Sequence, residues 1–245
     1  MTHWGDGSRE REAAESILKA YCGEAGPGDV MCGASAGDSQ VRQSILQEVL
    51  AVGQGSTAQV QEQLQRHVEE IGTSFRLPNE GEERPWPVSP LPLPIAEGEW
   101  AGIAAAVVQR AELSELLLAD IYGPQRLVES NVLPTAALTG SPQFLRPMVG
   151  ISPPGGHYLN IYAADLGRGP DGEWRVLADH TRSPAGAGYA LENRLAASQI
   201  IGSLSERLNV ARLAPFFADL RAGIAASCER SDPRLALLTP GRFNQ

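Results

Sequence analysis

Prolines occupy positions 85, 87, 90, 92 and 94. A proline has no amide hydrogen and a fixed φ, so this run fits neither a helix interior nor a central strand. Residues 78–94 therefore read as a stiff, extended connector, better suited to strapping two parts together than to serving as an SH3-type ligand. The sequence carries different patterns on its two sides.

Before the connector the signals are helical. A helix is expected around Arg9–Tyr21 within a weakly ordered segment 1–37, whose remainder is interrupted by Gly23, Gly26, Pro27, Gly28, Gly33 and Gly37. From Asp38 on, Val41, Ile45, Leu46, Val49 and Leu50 recur on one helical face, with Asp38 or Ser39 as the N-cap. Gly53-Gln54-Gly55-Ser56 ends that helix, and Thr57 caps another that turns Val60, Leu64, Val68 and Ile71 inward. Residues 38–77 thus form a helical hairpin with a packing role.

After the connector, a helix runs from Glu97 to Tyr122, with Trp100, Ile103, Ala104, Val107, Leu113, Leu116, Leu117 and Ile121 on its apolar side. Gly123-Pro124 stops it. Two strands, His157–Leu166 and Glu173–Thr181, flank a tight turn at Gly169-Pro170-Asp171-Gly172. Helices come next near Tyr189–Leu204 and Leu208–Cys228, and Arg234–Thr239 reads as a buried apolar strand with no helix after it to cover it. The fold class is α/β, and residues 95–245 form its mixed part.

Composition excludes some functions. The 245 residues are 42% hydrophobic and 20% charged, which is globular, and the net charge of −9 disfavours general nucleic-acid or anionic-membrane binding. The apolar stretch at 17–22 is too short to span a bilayer, and Met1–Asp6 lacks the features of a secretion signal. Three cysteines without metal-type spacing read as reduced thiols in a cytoplasmic protein. Of the 20 basic residues, Lys19 is the single lysine, which fits a coding bias and leaves any lysine-dependent chemistry to that residue.

The densest chemistry lies between 157 and 194. Asp165 and Asp179 fall on the paired strands near the same level, and facing carboxylates repel unless a cation lies between them. Oxygen ligands on a strand pair suit Mg²⁺; the other reading is that one of the two faces solvent or caps the turn. The loop Thr181–Gly188 is small, carries Arg182, and opens into a helix whose first amides attract anions. Glu192-Asn193-Arg194 lie in its first turns. His157 and His180 lack zinc or triad spacing, and no Walker-type or dinucleotide glycine pattern is present.

Several segments together resemble the circularly permuted type 2 ATP-grasp family, relatives of the glutathionylspermidine-synthetase-like ligases. They are Trp86-Pro-Val-Ser-Pro-Leu-Pro, Gln109-Arg110-Ala-Glu-Leu, Leu118-Ala-Asp-Ile-Tyr-Gly-Pro-Gln125, the block from Tyr162 to Arg194, and Leu237-Leu-Thr-Pro-Gly241. The likeness covers residues 38–245. It implies an N-terminal helical subdomain plus an incomplete permuted ATP-grasp core, with a β-hairpin and flanking helices. It also implies an ATP-dependent carboxylate–amine ligase using Mg²⁺ and working through an acyl phosphate. Asp165 and Asp179 would hold the metal, Arg168 or Arg182 would stabilise developing charge, and Gly186, Gly188, Glu192, Asn193 and Arg194 would face the nucleotide. His180 and Ala185 depart from the family pattern. The substrates would be a small-molecule or peptide carboxylate and an amine, and an alpha-E or transglutaminase-like protein would be the partner.

Family members continue past the Thr-Pro-Gly motif into the half that carries the nucleotide-binding lysines. With only Lys19, this chain reads as the front part of a longer ligase, inactive alone. The alternative is a non-catalytic binding or scaffold protein that keeps a degenerate ATP-grasp fold.

Overall fold

The computed structural model describes residues 8–26, 29, 32, 39–75, 82–182, 184–236 and 238. Helices α1 (Ser8–Glu24), α2 (Ser39–Val52) and α3 (Thr57–Ile71) precede a minimal antiparallel pair, β1 (Ser74–Phe75) and β2 (Arg84–Pro85). Then come the long α4 (Glu97–Ile121), the short α5 (Arg126–Glu129) and α6 (Thr135–Thr139), and the hairpin β3 (Ala163–Arg168) and β4 (Trp174–His180). Helices α7 (Ala187–Arg207) and α8 (Ala214–Ala226) close the order. The result is a helix-rich α/β fold with two small antiparallel sheets.

The expected apolar face of α2 forms, and it is divided among three helices. Ile45 and Val49 meet Val60 of α3 and Ile201 and Leu204 of α7, while Leu46 and Leu50 enclose Ala14 of α1. Leu64 and Val68 of α3 pack on Ala196 of α7, with Trp86 and Val88 of the connector alongside. Helices α2 and α3 therefore pack against α7, more than a hundred residues further on, while α1 packs on α2. Each buried leucine or isoleucine there contributes roughly 1.5–3 kcal/mol.

Some details differ from the sequence reading. Ser56, not Thr57, caps α3: its hydroxyl accepts from the Gln59 amide at 3.4 Å, because Thr57 is already helical. Ile71 sits where the helix ends at Gly72 and is 45% exposed. Along α4 only Ile103 is buried, whereas Trp100, Leu113 and Leu116 stand out in solvent. Residues 233–236 form no strand, and Leu235 and Leu238 are exposed; Leu237 and residues 239–245 lie outside the described residues, as does Asp38. Cys22 and Cys32 are joined as a disulfide, which corrects the reading of all three thiols as reduced; Cys228 is free. Asp29 holds that loop, accepting from the Tyr21 hydroxyl and the Cys32 amide. No helix among the described residues is long and apolar enough to cross a membrane.

Candidate functional site

The hairpin turn closes where expected, with the Gly169 amide on the Glu173 carbonyl and Gly172 at φ 82°. Arg168, Gly167 and Leu166 pair with Trp174, Arg175 and Val176, but Asp165 pairs with Ala178 and Ala164 with Asp179. Leu177 is the extra residue of a β-bulge and is 72% exposed. Without the bulge Asp179 would oppose Ala163, on the same face as Asp165. A single inserted residue flips everything beyond it to the other face.

The two carboxylates therefore point to opposite faces of the hairpin, so the fold does not bring together Asp165 and Asp179, the two residues expected as metal ligands. Asp165 meets the His180 Nε2 at 2.9 Å. Asp179 is gripped from the other side by Arg110 of α4, through Nε at 3.0 Å and a second guanidinium nitrogen at 2.5 Å, and by the Tyr162 hydroxyl. The Arg110 guanidinium and then that hydroxyl hold the Asp179 carboxyl down to about 2. Desolvation, and after it the bond to Asp179, raises the Tyr162 phenol. No cluster of three or more His, Cys, Asp or Glu able to hold a metal exists among the described residues. Asp165 and Asp179 do not present their carboxylates to one cation.

Helix α4 is the beam to which this half of the chain is fastened, mostly by polar bonds. Near its start, Glu99 accepts from the Trp174 indole N–H at 2.8 Å and pairs with Arg168, whose side chain is 8% exposed. Arg168 also donates to the Gly172 carbonyl at 3.0 Å and lies 5.2 Å from the Trp174 ring centroid. A guanidinium so committed ties the hairpin to α4. Further along, Glu115 accepts the amides of Tyr158 and Leu159 at 2.7 and 2.9 Å, bordering an apolar groove of about 570 Å³. Arg182, exposed in the loop after β4, donates to Gln143.

The N-terminus of α7 is differently built. Gly186 is the N-cap at φ 107°, a conformation that glycine adopts freely, and no side chain among the described residues caps the helix. The first amides of a helix have no partner within it, and they carry the positive end of its dipole. A groove of about 330 Å³ opens there, lined by Gly188, Tyr189 and Glu192 of α7, with Thr73, Ala185 and Phe217. Gly188 and Glu192 are thus brought together at one site, and Gly186 adjoins it in sequence as the N-cap of α7. Asn193 and Arg194 are committed elsewhere: Asn193 accepts from the Trp86 indole at 2.7 Å, and Arg194 donates to the Ala211 carbonyl at 3.1 Å.

Sequence reasoning assigned no role to Glu99, Arg110, Tyr162 or Trp86. A signal for three of them existed, since Trp86, Arg110 and Tyr162 stand inside the segments that carry the family likeness, and a half-buried indole N–H needs an acceptor.

A family model described as circularly permuted ATP-grasp type 2 matches residues 92–245, and the chain belongs to that family. An uncharacterized protein of Mycobacterium bovis is 38% identical over 166 residues, which is 67% of this chain and 19% of its own length. An uncharacterized protein of Mycobacterium leprae is 34% identical over 185 residues, 75% of this chain and 33% of its own length. One from Synechocystis sp. is 33% identical over 178 residues, 71% of this chain and 37% of its own length. The chain therefore spans between 19% and 37% of the length of these curated relatives.

Proposed function

We propose that this member of the circularly permuted type 2 ATP-grasp family supplies the front part of an ATP-dependent ligase joining a carboxylate to an amine, inactive without the remainder of that ligase. The observation that carries the reading is the start of α7, inside the family-matched region, which has no side-chain cap among the described residues and lies beside a groove. Those amides suit phosphate oxygens, and the positive end of a 21-residue helix favours them. ATP, as substrate, supplies the phosphoryl group that turns a carboxylate into an acyl phosphate. The amine then attacks the acyl carbon and phosphate leaves. In this reading Gly186 and Gly188 let the backbone approach the phosphates, and Arg182 is the loop cation left to meet developing charge. No step is assigned to Arg168, nor to a metal on Asp165 and Asp179. A cytoplasmic setting and an alpha-E or transglutaminase-like partner belong to the same proposal.

Calorimetric titration of the chain with ATP tests this, alongside Gly188→Asp. A Cβ at Gly188 meets open space, and a carboxylate in the first turn suits the helix dipole. The same carboxylate repels a bound phosphate at about 4 Å by enough to weaken binding about tenfold or more. The expected result is ATP binding by the wild type, lost in Gly188→Asp with an unchanged melting midpoint. Equal heats from both proteins, or none from either, overturn the reading. The second reading, a non-catalytic binding or scaffold protein, draws on the opposed carboxylates and the tied Arg168, and it survives the latter result.

A further inference from the structure

Trp86 lies outside the family-matched residues, yet it stands directly behind the α7 groove. Its indole N–H donates to Asn193 across 107 positions of sequence, and its ring stacks on Tyr189 with centroids 4.0 Å apart and planes at 17°. Phe75 closes the stack edge-on at 5.7 Å. The backbone repeats the attachment: the Trp86 amide bonds to the Thr73 carbonyl, and the Tyr189 hydroxyl donates to the Ser74 carbonyl. Gln61 of α3 anchors the connector two residues further on by donating to the Val88 carbonyl at 2.8 Å. Thr73 and Tyr189 are themselves walls of the groove.

These contacts have one physical consequence. A helix start without a side-chain cap frays readily, because its first turn has few bonds of its own. Here two consecutive turns of that helix, through Tyr189 and Asn193, are held from outside by an element whose prolines leave it little freedom to move. We propose that Trp86 is a positioning residue for the α7 groove, so that the proline-rich connector fixes the helix amides in the geometry an anionic ligand needs. The binding arm of its test rests on the nucleotide reading above; the exchange arm does not.

The test uses the full chain. Trp86→Phe keeps the aromatic stack and removes the N–H, Asn193→Leu removes the acceptor, and Asn193→Asp restores one. Hydrogen exchange of the bonded amides at 190–194 is expected to quicken about fivefold in Trp86→Phe, the scale of one lost neutral hydrogen bond. Asn193→Leu should match it, the double variant should add nothing further, and Asn193→Asp should return protection to wild type. ATP affinity is expected to fall by a similar factor while the melting midpoint holds. In ¹⁵N spectra, ATP should shift the Trp86 indole resonance and leave that of Trp174 in place. Unchanged exchange in Trp86→Phe, or additive effects in the double variant, overturns the proposal. If the wild type binds no ATP, the nucleotide reading fails, and the exchange result still decides the role of Trp86.

Discussion

Replacing Glu99 by alanine removes a carboxylate that Arg168 and the Trp174 indole share, and with it a tie between α4 and the hairpin. The Arg168 side chain is 8% exposed and that of Glu99 23%, so solvent screens the pair only partly. The ion pair contributes about 2 kcal/mol and the indole bond, made to a carboxylate oxygen already shared with Arg168, about 1 kcal/mol, giving about 3 kcal/mol in all. Two strands alone are marginal in water, so a hairpin loosened from α4 also opens between its strands. Exchange of the interstrand amides of β3 and β4 should then accelerate about a hundredfold, one decade per 1.4 kcal/mol. Glu99→Gln keeps a neutral acceptor and should fall between. Arg168→Met should loosen the hairpin as well, whereas a purely catalytic arginine could be replaced without effect on exchange. An acceleration below about threefold in Glu99→Ala would refute the reasoning and place the pair among surface ion pairs of small worth.

The Asp179 carboxyl lies near 2 in the folded chain against an ordinary 3.8, so its stabilisation is complete above the ordinary value and is lost as pH falls toward 2. The stability difference between wild type and Arg110→Gln, measured by denaturant titration, should be flat from pH 8 to 5 and shrink below pH 4; a constant difference down to pH 3 contradicts the pairing. Leu204, 2% exposed between α2 and α7, should cost about 2–5 kcal/mol as alanine, and thermal melting should register the loss in one transition spanning α2, α3 and α7. Since Asp165 and Asp179 occupy opposite faces, Asp165→Asn and Asp179→Asn should respond to millimolar Mg²⁺ in thermal unfolding as the wild type does. A metal-induced stabilisation abolished in both variants would restore a shared site.

Local order along the chain was legible because it depends on local rules. The 3.6-residue recurrence of Ile45, Val49, Val60, Leu64 and Val68 marks faces that do become buried, and Gly169-Pro170-Asp171-Gly172 marks the hairpin turn. The segments from Trp86 to Arg194 were enough to indicate the family that the comparisons establish. The same recurrence misleads on α4, where Leu113 and Leu116 share an apolar pattern but find no cover among the described residues. Periodicity says which residues share a face, and nothing about what lies against it.

The sequence by itself determined that a proline-stiffened connector separates a helical beginning from a hairpin-bearing remainder, since missing amides and fixed φ act wherever the chain goes. It determined the turn and the glycine that lets α7 begin uncapped, because glycine alone enters positive φ at little cost. Only the tertiary structure decided which carboxylates meet. One surplus residue at Leu177 turns Asp179 toward Arg110 and leaves Asp165 with His180, because strand register has a period of two and a shift of one inverts every face beyond it. Only the tertiary structure, likewise, set Trp86 against Asn193 and Glu99 against Arg168, since no local pattern encodes contacts between groups some seventy to a hundred residues apart.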